Sequence, residues 1–305
     1  MLNYKLIMIN FCIFEDDQYS KLAPLTDFAP IFDSLVGQST LFKKFEDYFS
    51  HGNITLNARD YLKPCLKKKY PNYSINNINT GAPCLFFNSR VIMNEQIFNY
   101  INSIDENNNA LLTYNNTLVA AYVKGEALNF LSKLLLSPPS NKTLIKQLRP
   151  ACITLECDDV DLISNPWDII TLNKKYIQLD FNKANQPGII KGHIKPFTII
   201  YNENNVFINT DTHIEDFVVI NAENGPVYIE KNVKINAHTR IEGPVYIGSN
   251  THILGGKIKS SSIGHNCKVS GEISESVFQP YSNKAHDGYI GNSYIGEWVN
   301  IGAAT

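Results

Sequence analysis

Isoleucine falls on every sixth residue through the last third of the chain. Ile208, Ile214 and Ile220 form one run, and Ile229, Ile235, Ile241, Ile247 and Ile253 a second, after an insertion at Asn224-Gly225-Pro226. Two residues before each Ile stands Val or Thr: Val206, Thr212, Val218, Val227, Val233, Thr239, Val245 and Thr251. A period of six is neither the 3.6 of an amphipathic helix nor the plain alternation of a half-buried strand. It suits a chain that turns a corner every six residues and points one aliphatic side chain inward per face. The pattern therefore predicts a hexapeptide-repeat β-helix, a solenoid of stacked triangular coils. β-Branched residues suit the short strands, and the Val or Thr two positions earlier shares the inward side. Asn209-Thr210-Asp211, Glu230-Lys231-Asn232, Gly248-Ser249-Asn250 and Gly264-His265-Asn266 supply turn chemistry for the corners. The competing reading is an antiparallel sheet with regular turns, which eight isoleucines in one register disfavour. The rhythm loosens after Ile253 and returns at Ile263/Val269 and Ile295/Ile301. Solenoids of this repeat are expected to wind left-handed, against the usual crossover rule.

From residue 1 to about 195 the pattern changes. Apolar strand-like runs at 6–14, 84–87, 117–123 and 151–155 alternate with helical spacing at Phe42 to Phe49 and Glu126 to Leu136. Alternation of this kind predicts an α/β layer. Asn72 to Asn79 and Asp105 to Asn109 read as loops, and Asn185-Gln186-Pro187-Gly188 as a seam. The expected domains are 1–195, α/β, and 196–305, β-helix.

Composition narrows the class. The chain has 305 residues, 44% hydrophobic and 18% charged, with a net charge of −2, so no basic footprint for nucleic acid is present. Cys12, Cys65, Cys84, Cys152, Cys157 and Cys267 form no CxxC pair, which argues against zinc or a disulfide framework and for a reducing, cytoplasmic setting. The apolar start, Leu6 to Phe14, is short and runs straight into Glu15-Asp16-Asp17. It reads as a buried first strand rather than a leader or membrane span.

Three places carry candidate chemistry. Glu15-Asp16-Asp17 follows the first strand, where ligands bind in open α/β sheets; acids there suit a divalent cation on nucleotide phosphates, or they form a solvated turn. Neither a Walker loop nor GxGxxG follows. His286, in Ser282-Asn283-Lys284-Ala285-His286-Asp287-Gly288-Tyr289-Ile290-Gly291, interrupts the hexapeptide rhythm; an imidazole there suits a general base, or a structural surface residue. His213, His238, His252 and His265 are placed in repeat corners with no role. Ile295 to Thr305 ends in small residues that let an extended ligand lie along a coil edge, or it is one more coil.

The strings His286-Asp287-Gly288-Tyr289-Ile290-Gly291, Ile295-Gly296 and Val299-Asn300-Ile301-Gly302-Ala303 resemble the acetyltransferase signature of the bifunctional UDP-N-acetylglucosamine diphosphorylase/glucosamine-1-phosphate N-acetyltransferase family. The resemblance implies an N-terminal uridyltransferase and a left-handed β-helix that acetylates an amino-sugar phosphate. It makes His286 the general base, Tyr289 and Asn300 sugar contacts, and Ala303 a backbone contact for acetyl-CoA. Phe14-Glu15-Asp16-Asp17, Leu22-Ala23-Pro24-Leu25-Thr26, Asn57-Ala58-Arg59-Asp60-Tyr61-Leu62, Asn88-Ser89-Arg90 and Asn165-Pro166-Trp167-Asp168-Ile169 resemble an alternate, divergent branch of the same enzymes. That resemblance implies Asp16 and Asp17 as Mg²⁺ ligands, Arg59, Asn88 and Arg90 as substrate contacts, and sugar-1-phosphate, nucleoside triphosphate and acetyl-CoA as partners of a homotrimer. The chain departs from the pattern at Phe28-Ala29-Pro30, where the branch carries Thr-Arg-Pro, at Leu35, near Ser274, where a lysine is expected, and at Ala304. Relatives continue with more coils beyond the position of Thr305, so a truncated β-helix is expected. Two alternatives stay open: a glucose-1-phosphate thymidylyltransferase-like enzyme, and a non-catalytic trimeric scaffold that binds a sugar nucleotide.

Overall fold

The computed structural model describes residues 9–49 and 52–303, and its contacts divide the chain into two compact units. The first holds the described residues up to Ser34 and Leu41–Pro166; the second holds Leu35–Thr40 and the chain from Trp167 onward.

The first unit is built on a seven-stranded sheet. Its strands are β1 (Asn10–Phe14), β2 (Asn53–Asn57), β3 (Ser74–Ile75), β4 (Cys84–Asn88), β5 (Ala110–Tyr114), β6 (Thr117–Val123) and β7 (Ile153–Glu156), in the order β3-β2-β1-β4-β6-β5-β7. β3, β2, β1 and β4 are parallel; β6 runs antiparallel to β4 and β5. β1 is buried on every residue, as a central parallel strand covered on both faces must be. Its alternate side chains separate two cores. Phe11 and Ile13 join Leu85, Phe87, Phe42, Phe45, Leu66 and Ile97 on one face. Cys12 and Phe14 join Phe86, Leu128, Leu131, Leu144 and Leu148 on the other. The covering helices are α1 (Leu41–Glu46), α2 (Lys63–Lys69) and α3 (Glu95–Asn102) on the first side, α4 (Gly125–Leu134) and α5 (Asn141–Leu148) on the second. The expected helices thus exist with shorter bounds. The expected strand at 6–14 is described only from Ile9, and its start lies outside the described residues. β5 and β6 are joined by Asn115 and Asn116, both at positive φ (47° and 60°), the geometry of a type I′ turn.

The second unit opens with α6 (Pro166–Ala184) and continues into three six-stranded parallel sheets. Each sheet takes every third strand, so each of six coils gives one strand to each face. Face A is His193–Ile194, His213–Ile214, Lys234–Ile235, His252–Ile253, Lys268–Val269 and Asn283–Lys284. Face B runs from Ile199–Tyr201 to Tyr289–Gly291, and face C from Val206–Ile208 to Tyr294–Ile295. This is the three-sided β-helix that the six-residue period predicts, and every isoleucine of the two runs is buried in one core, stacked in one column per face.

The spacing loosens after Ile253, as the sequence shows, while the inward pairing continues. Ile241 pairs with Ile258, then Ile273 and Ile290; Ile247 pairs with Ile263, then Phe278 and Ile295. The corners lose residues while the inward column continues. Between faces A and B, five residues (235–239) separate Lys234 from Arg240, four (253–256) separate His252 from Lys257, and three (269–271) separate Lys268 from Glu272. Glycine makes the tight corners feasible: at Gly271 (φ +86°) a Cβ would overlap the Gly288 carbonyl of the next coil.

A domain boundary at 195 is expected from the sequence, whereas the contacts place α6 with the β-helix. The Phe181 ring meets Tyr228 edge-on at 6.3 Å, and Asn173 Oδ1 accepts from Gly37 N (2.8 Å) and Ser262 Oγ (3.0 Å). Residues 35–40, an antiparallel hairpin, belong to the same unit: Gln38 N donates to Asp180 Oδ2 at 2.8 Å, and Gly37 O lies 2.7 Å from Ser262 Oγ as an alternative acceptor of its one O–H. The polar seam at 185–188 is simply the link from α6 to the first coil. His213 and His252 lie on face A strands rather than in corners; His238 and His265 are corner residues. No described helix is long and apolar enough to cross a membrane, and all six cysteines are free thiols.

Candidate functional site

The first site candidate is the carboxyl end of the sheet in the α/β unit. Phe14, Asn57 and Asn88 are register partners at the ends of β1, β2 and β4. The chain therefore brings Glu15-Asp16, Ala58-Arg59 and Ser89-Arg90 to one edge. Successive residues leaving a strand turn to opposite sides, and the two carboxylates do so. Glu15 takes Arg59, and Asp16 takes Arg90.

Asp16 is held by five donors. Arg90 Nε and Nη2 lie 2.8 and 2.7 Å from its two oxygens, Asn141 Nδ2 at 2.6 Å, Asn88 Nδ2 at 2.8 Å and Gln18 N at 3.1 Å. Burial pushes its pKa up, but the hydrogen bonds and charge of Arg90, with Asn141 and Asn88, outweigh burial and hold it below the usual carboxylate range. Glu15 is the contrasting case. Its contacts with Arg59 Nε and Nη2 are 3.1 and 3.3 Å, and with the backbone N–H groups of Ile31 and Arg59 3.3 Å each. Burial, only partly opposed by Arg59, raises its pKa. Burial is the largest influence on both; Asp16 has the side chains of Arg90, Asn141 and Asn88 against it, where Glu15 has Arg59 as its one side-chain partner.

Arg59 also reaches Thr26 O, Ala29 O (3.0 Å) and the Tyr61 hydroxyl (2.6 Å), so all five guanidinium N–H donors are engaged. Its guanidinium carbon lies 4.4 Å from the Tyr19 ring centre and 5.2 Å from that of Tyr61. Arg90 gives its remaining contact to Ile163 O at 3.0 Å, and Asn88 also donates to Leu118 O at 2.9 Å.

These contacts show where the expected metal and phosphate residues stand. Asp16, expected as a metal ligand, is the counter-ion of Arg90, with five donors on its two oxygens. Arg59 and Arg90, expected as substrate contacts, tie the ends of β2 and β4 to the acids after β1. Asp17 begins a short 3₁₀ turn (Asp17–Leu22) and accepts from Gln18 Nε2 at 2.8 Å. Among the described residues no cluster of three or more Asp, Glu, His or Cys could hold a metal ion. Asp17 is the carboxylate here that would hold Mg²⁺, together with oxygens that a triphosphate brings itself. Sequence reasoning missed Asn141, the N-terminal residue of α5; 125 positions separate it from Asp16, and no motif marks it.

The second candidate lies in the β-helix. Between faces A and B the corner reopens at the sixth coil: five residues (284–288) separate Asn283 from Tyr289, against three in the coil below. The added length carries His286. Its side chain is exposed, and among the described residues no hydrogen bond reaches its ring. Tyr289 opens the face B strand beside it and is 63% exposed; its hydroxyl folds over Gly291, where a Cβ would overlap it. Asn300 lies on the face A rung above, bridged to Asn283. Ala303 is exposed after that rung; Ala304 and Thr305 lie outside the described residues. His286 and Tyr289 thus flank one corner, with Asn300 following on the next rung of the adjoining face.

A three-layer α/β unit that gathers charged residues beyond the carboxyl ends of its parallel strands places them where open α/β sheets bind ligands. The family model for sugar nucleotidyl transferase matches residues 11–187, more than half of the chain, and this protein belongs to that family. The chain is also similar to the bifunctional protein GlmU of Rippkaea orientalis, 38% identical over 61 residues. That match covers 19% of this chain and 13% of the relative's length.

Proposed function

We propose that the protein makes a nucleotide sugar: the α/β unit joins a sugar-1-phosphate to a nucleoside triphosphate, and the β-helix N-acetylates an amino-sugar phosphate with acetyl-CoA, as in UDP-N-acetylglucosamine synthesis. Family membership over residues 11–187 is the observation that carries the first half. In that step a phosphate oxygen of the sugar-1-phosphate attacks the α-phosphorus of the triphosphate and pyrophosphate leaves. Mg²⁺, held by Asp17 and the triphosphate, would neutralise phosphate charge. The chain's own part is to fix the edge on which the substrates meet: the Glu15–Arg59 and Asp16–Arg90 pairs lock three strand ends in register.

The reopened corner supports the second half. His286 stands there with an exposed ring and a constrained backbone, suited to take the proton of an amine as its nitrogen attacks the thioester carbonyl and CoA leaves as the thiol. Tyr289 and Asn300 would contact the amino sugar, and Ala303 the acetyl-CoA. A homotrimer would place a neighbouring coil beside this corner.

The decisive measurement is mass spectrometry of products formed from several sugar-1-phosphates with UTP or dTTP, Mg²⁺ and acetyl-CoA. A UDP-sugar together with an acetylated amino-sugar phosphate supports the full reading. A dTDP-sugar alone replaces it with a thymidylyltransferase. A second reading, a sugar-nucleotide-binding scaffold, is favoured by one observation: all five donors of Arg59 are engaged within the chain. Binding of a UDP-sugar in calorimetry with no product from any mixture would establish that reading.

A further inference from the structure

The inward position of face A carries Ile194, Ile214, Ile235, Ile253 and Val269 in register, and then Lys284. A lysine follows five aliphatic rungs on the axis of the prism, and it is only 3% exposed. A buried ammonium is costly without partners, and a Leu or Ile would continue the column without that cost. Its Nζ donates to the carbonyls of His286 and of Asp287 (3.2 Å). A Cβ placed on Gly288 would lie 3.5 Å from the same nitrogen. The ammonium therefore sits beneath the turn 286–288, inside the one A–B corner that reopens.

The coil below holds the same turn from its other side. Ser270 Oγ donates to Asp287 Oδ1 at 3.3 Å, Ser270 N to Lys284 O at 2.7 Å, and Glu272 N to Gly288 O at 2.9 Å. The backbone on both sides of His286 is thus tied down, while its imidazole stays exposed. That combination is what a side chain needs when it must meet a substrate at one distance: a fixed pivot and an unencumbered ring.

We propose that Lys284 is the positioning residue of the histidine corner, holding the His286 backbone from inside the prism so that its ring projects at a fixed height above face B. The proposal rests on the reading of His286 as the general base, and its test separates the two.

The variants are Lys284→Met, which keeps the stem and removes the donor, and Lys284→Leu, which restores the residue type of the lower rungs. Both remove a buried charge from an aliphatic column and are expected to fold with a melting temperature no lower than that of the parent. The first readout is amide hydrogen exchange of residues 285–291 in the full chain. Faster exchange there, with the peptides of coils one to four unchanged, is the expected result; unchanged exchange of the corner in both variants overturns the proposal. The second readout is steady-state acetyl transfer. A kcat loss of about 10- to 100-fold with the KM for acetyl-CoA held is expected, and a parental kcat overturns the positioning role. Pyrophosphate release is expected to stay at the parental rate. If the parent protein shows no acetyl transfer, the reading of His286 as a base fails while the exchange experiment still decides the part played by Lys284.

Discussion

Arg90 Nη2 lies 2.7 Å from Asp16 Oδ2 although 74 residues separate them, and the side chains are 3% and 0% exposed. This ion pair closes the end of β4 onto the end of β1. Because both charges are out of water, removing one leaves the other stranded. Asp16→Asn is expected to destabilise the α/β unit by about 3–5 kcal/mol, read as a shift in the urea midpoint. The double variant Asp16→Leu/Arg90→Met, which leaves no charge behind, is expected to cost less than Asp16→Asn alone.

The neighbouring carboxylates predict opposite responses to acid. Asp16 has a folded pKa below its unfolded value. Its contribution is full above about pH 4, near the unfolded value, and is lost as pH falls through the folded value. Glu15 has a folded pKa above its unfolded value. The folded state keeps that proton longer, so this contribution is present at low pH and is lost as pH rises through the folded value. Urea midpoints across pH 2.5 to 7, a window of about 4.5 units, should show a shallower acid limb for Asp16→Asn and a steeper rise with pH for Glu15→Gln.

Gly271 adopts φ +86°, and a Cβ there would lie 2.9 Å from Gly288 N and overlap Gly288 O. Gly271→Ala is expected to destabilise the β-helix by about 1–3 kcal/mol. Gly255, also at positive φ (+140°) but with nothing within 4 Å of a Cβ, is the control; its Ala variant carries backbone strain without the clash. Thermal melts followed by circular dichroism would rank the two.

Ile241 is fully buried in the column between Ile220 and Ile258. Ile241→Ala is expected to cost about 2–5 kcal/mol, and Ile241→Val about 0.5–1.5 kcal/mol. Since every coil stacks only on its neighbours, hydrogen exchange should rise most in the coils on either side of residue 241.

If the functional proposal holds, His286→Ala should lower acetyl transfer by about 10²–10⁴-fold while pyrophosphate release is unchanged. Coupled assays on one preparation measure both. Loss of both activities together would point to misfolding rather than to the loss of a base.

The β-helix was legible in the sequence because its core is one-dimensional. A single inward residue recurs once per face, so a period of six names the fold, the core column and the corners from Asn209 to Asn266. The α/β class was legible for a similar reason: β1 is apolar on both faces, and turn residues punctuate the elements around it. Corner lengths after Ile253 were not legible, since a lost corner residue and a broken repeat look alike until Ile241 is seen paired with Ile258.

The chemistry of the first edge depended wholly on the tertiary structure. Glu15, Asp16, Arg59 and Arg90 read as available charges along the chain, because a sequence states which charges exist and not which neutralise one another. Parallel register brought the ends of β1, β2 and β4 together, and burial then forced each acid to take the nearest arginine. Lys284 shows the same division in the β-helix. Its place in the string before His286 was visible, but only the stacking of face A turned it inward, where a buried ammonium had to find carbonyls and found those of the histidine corner.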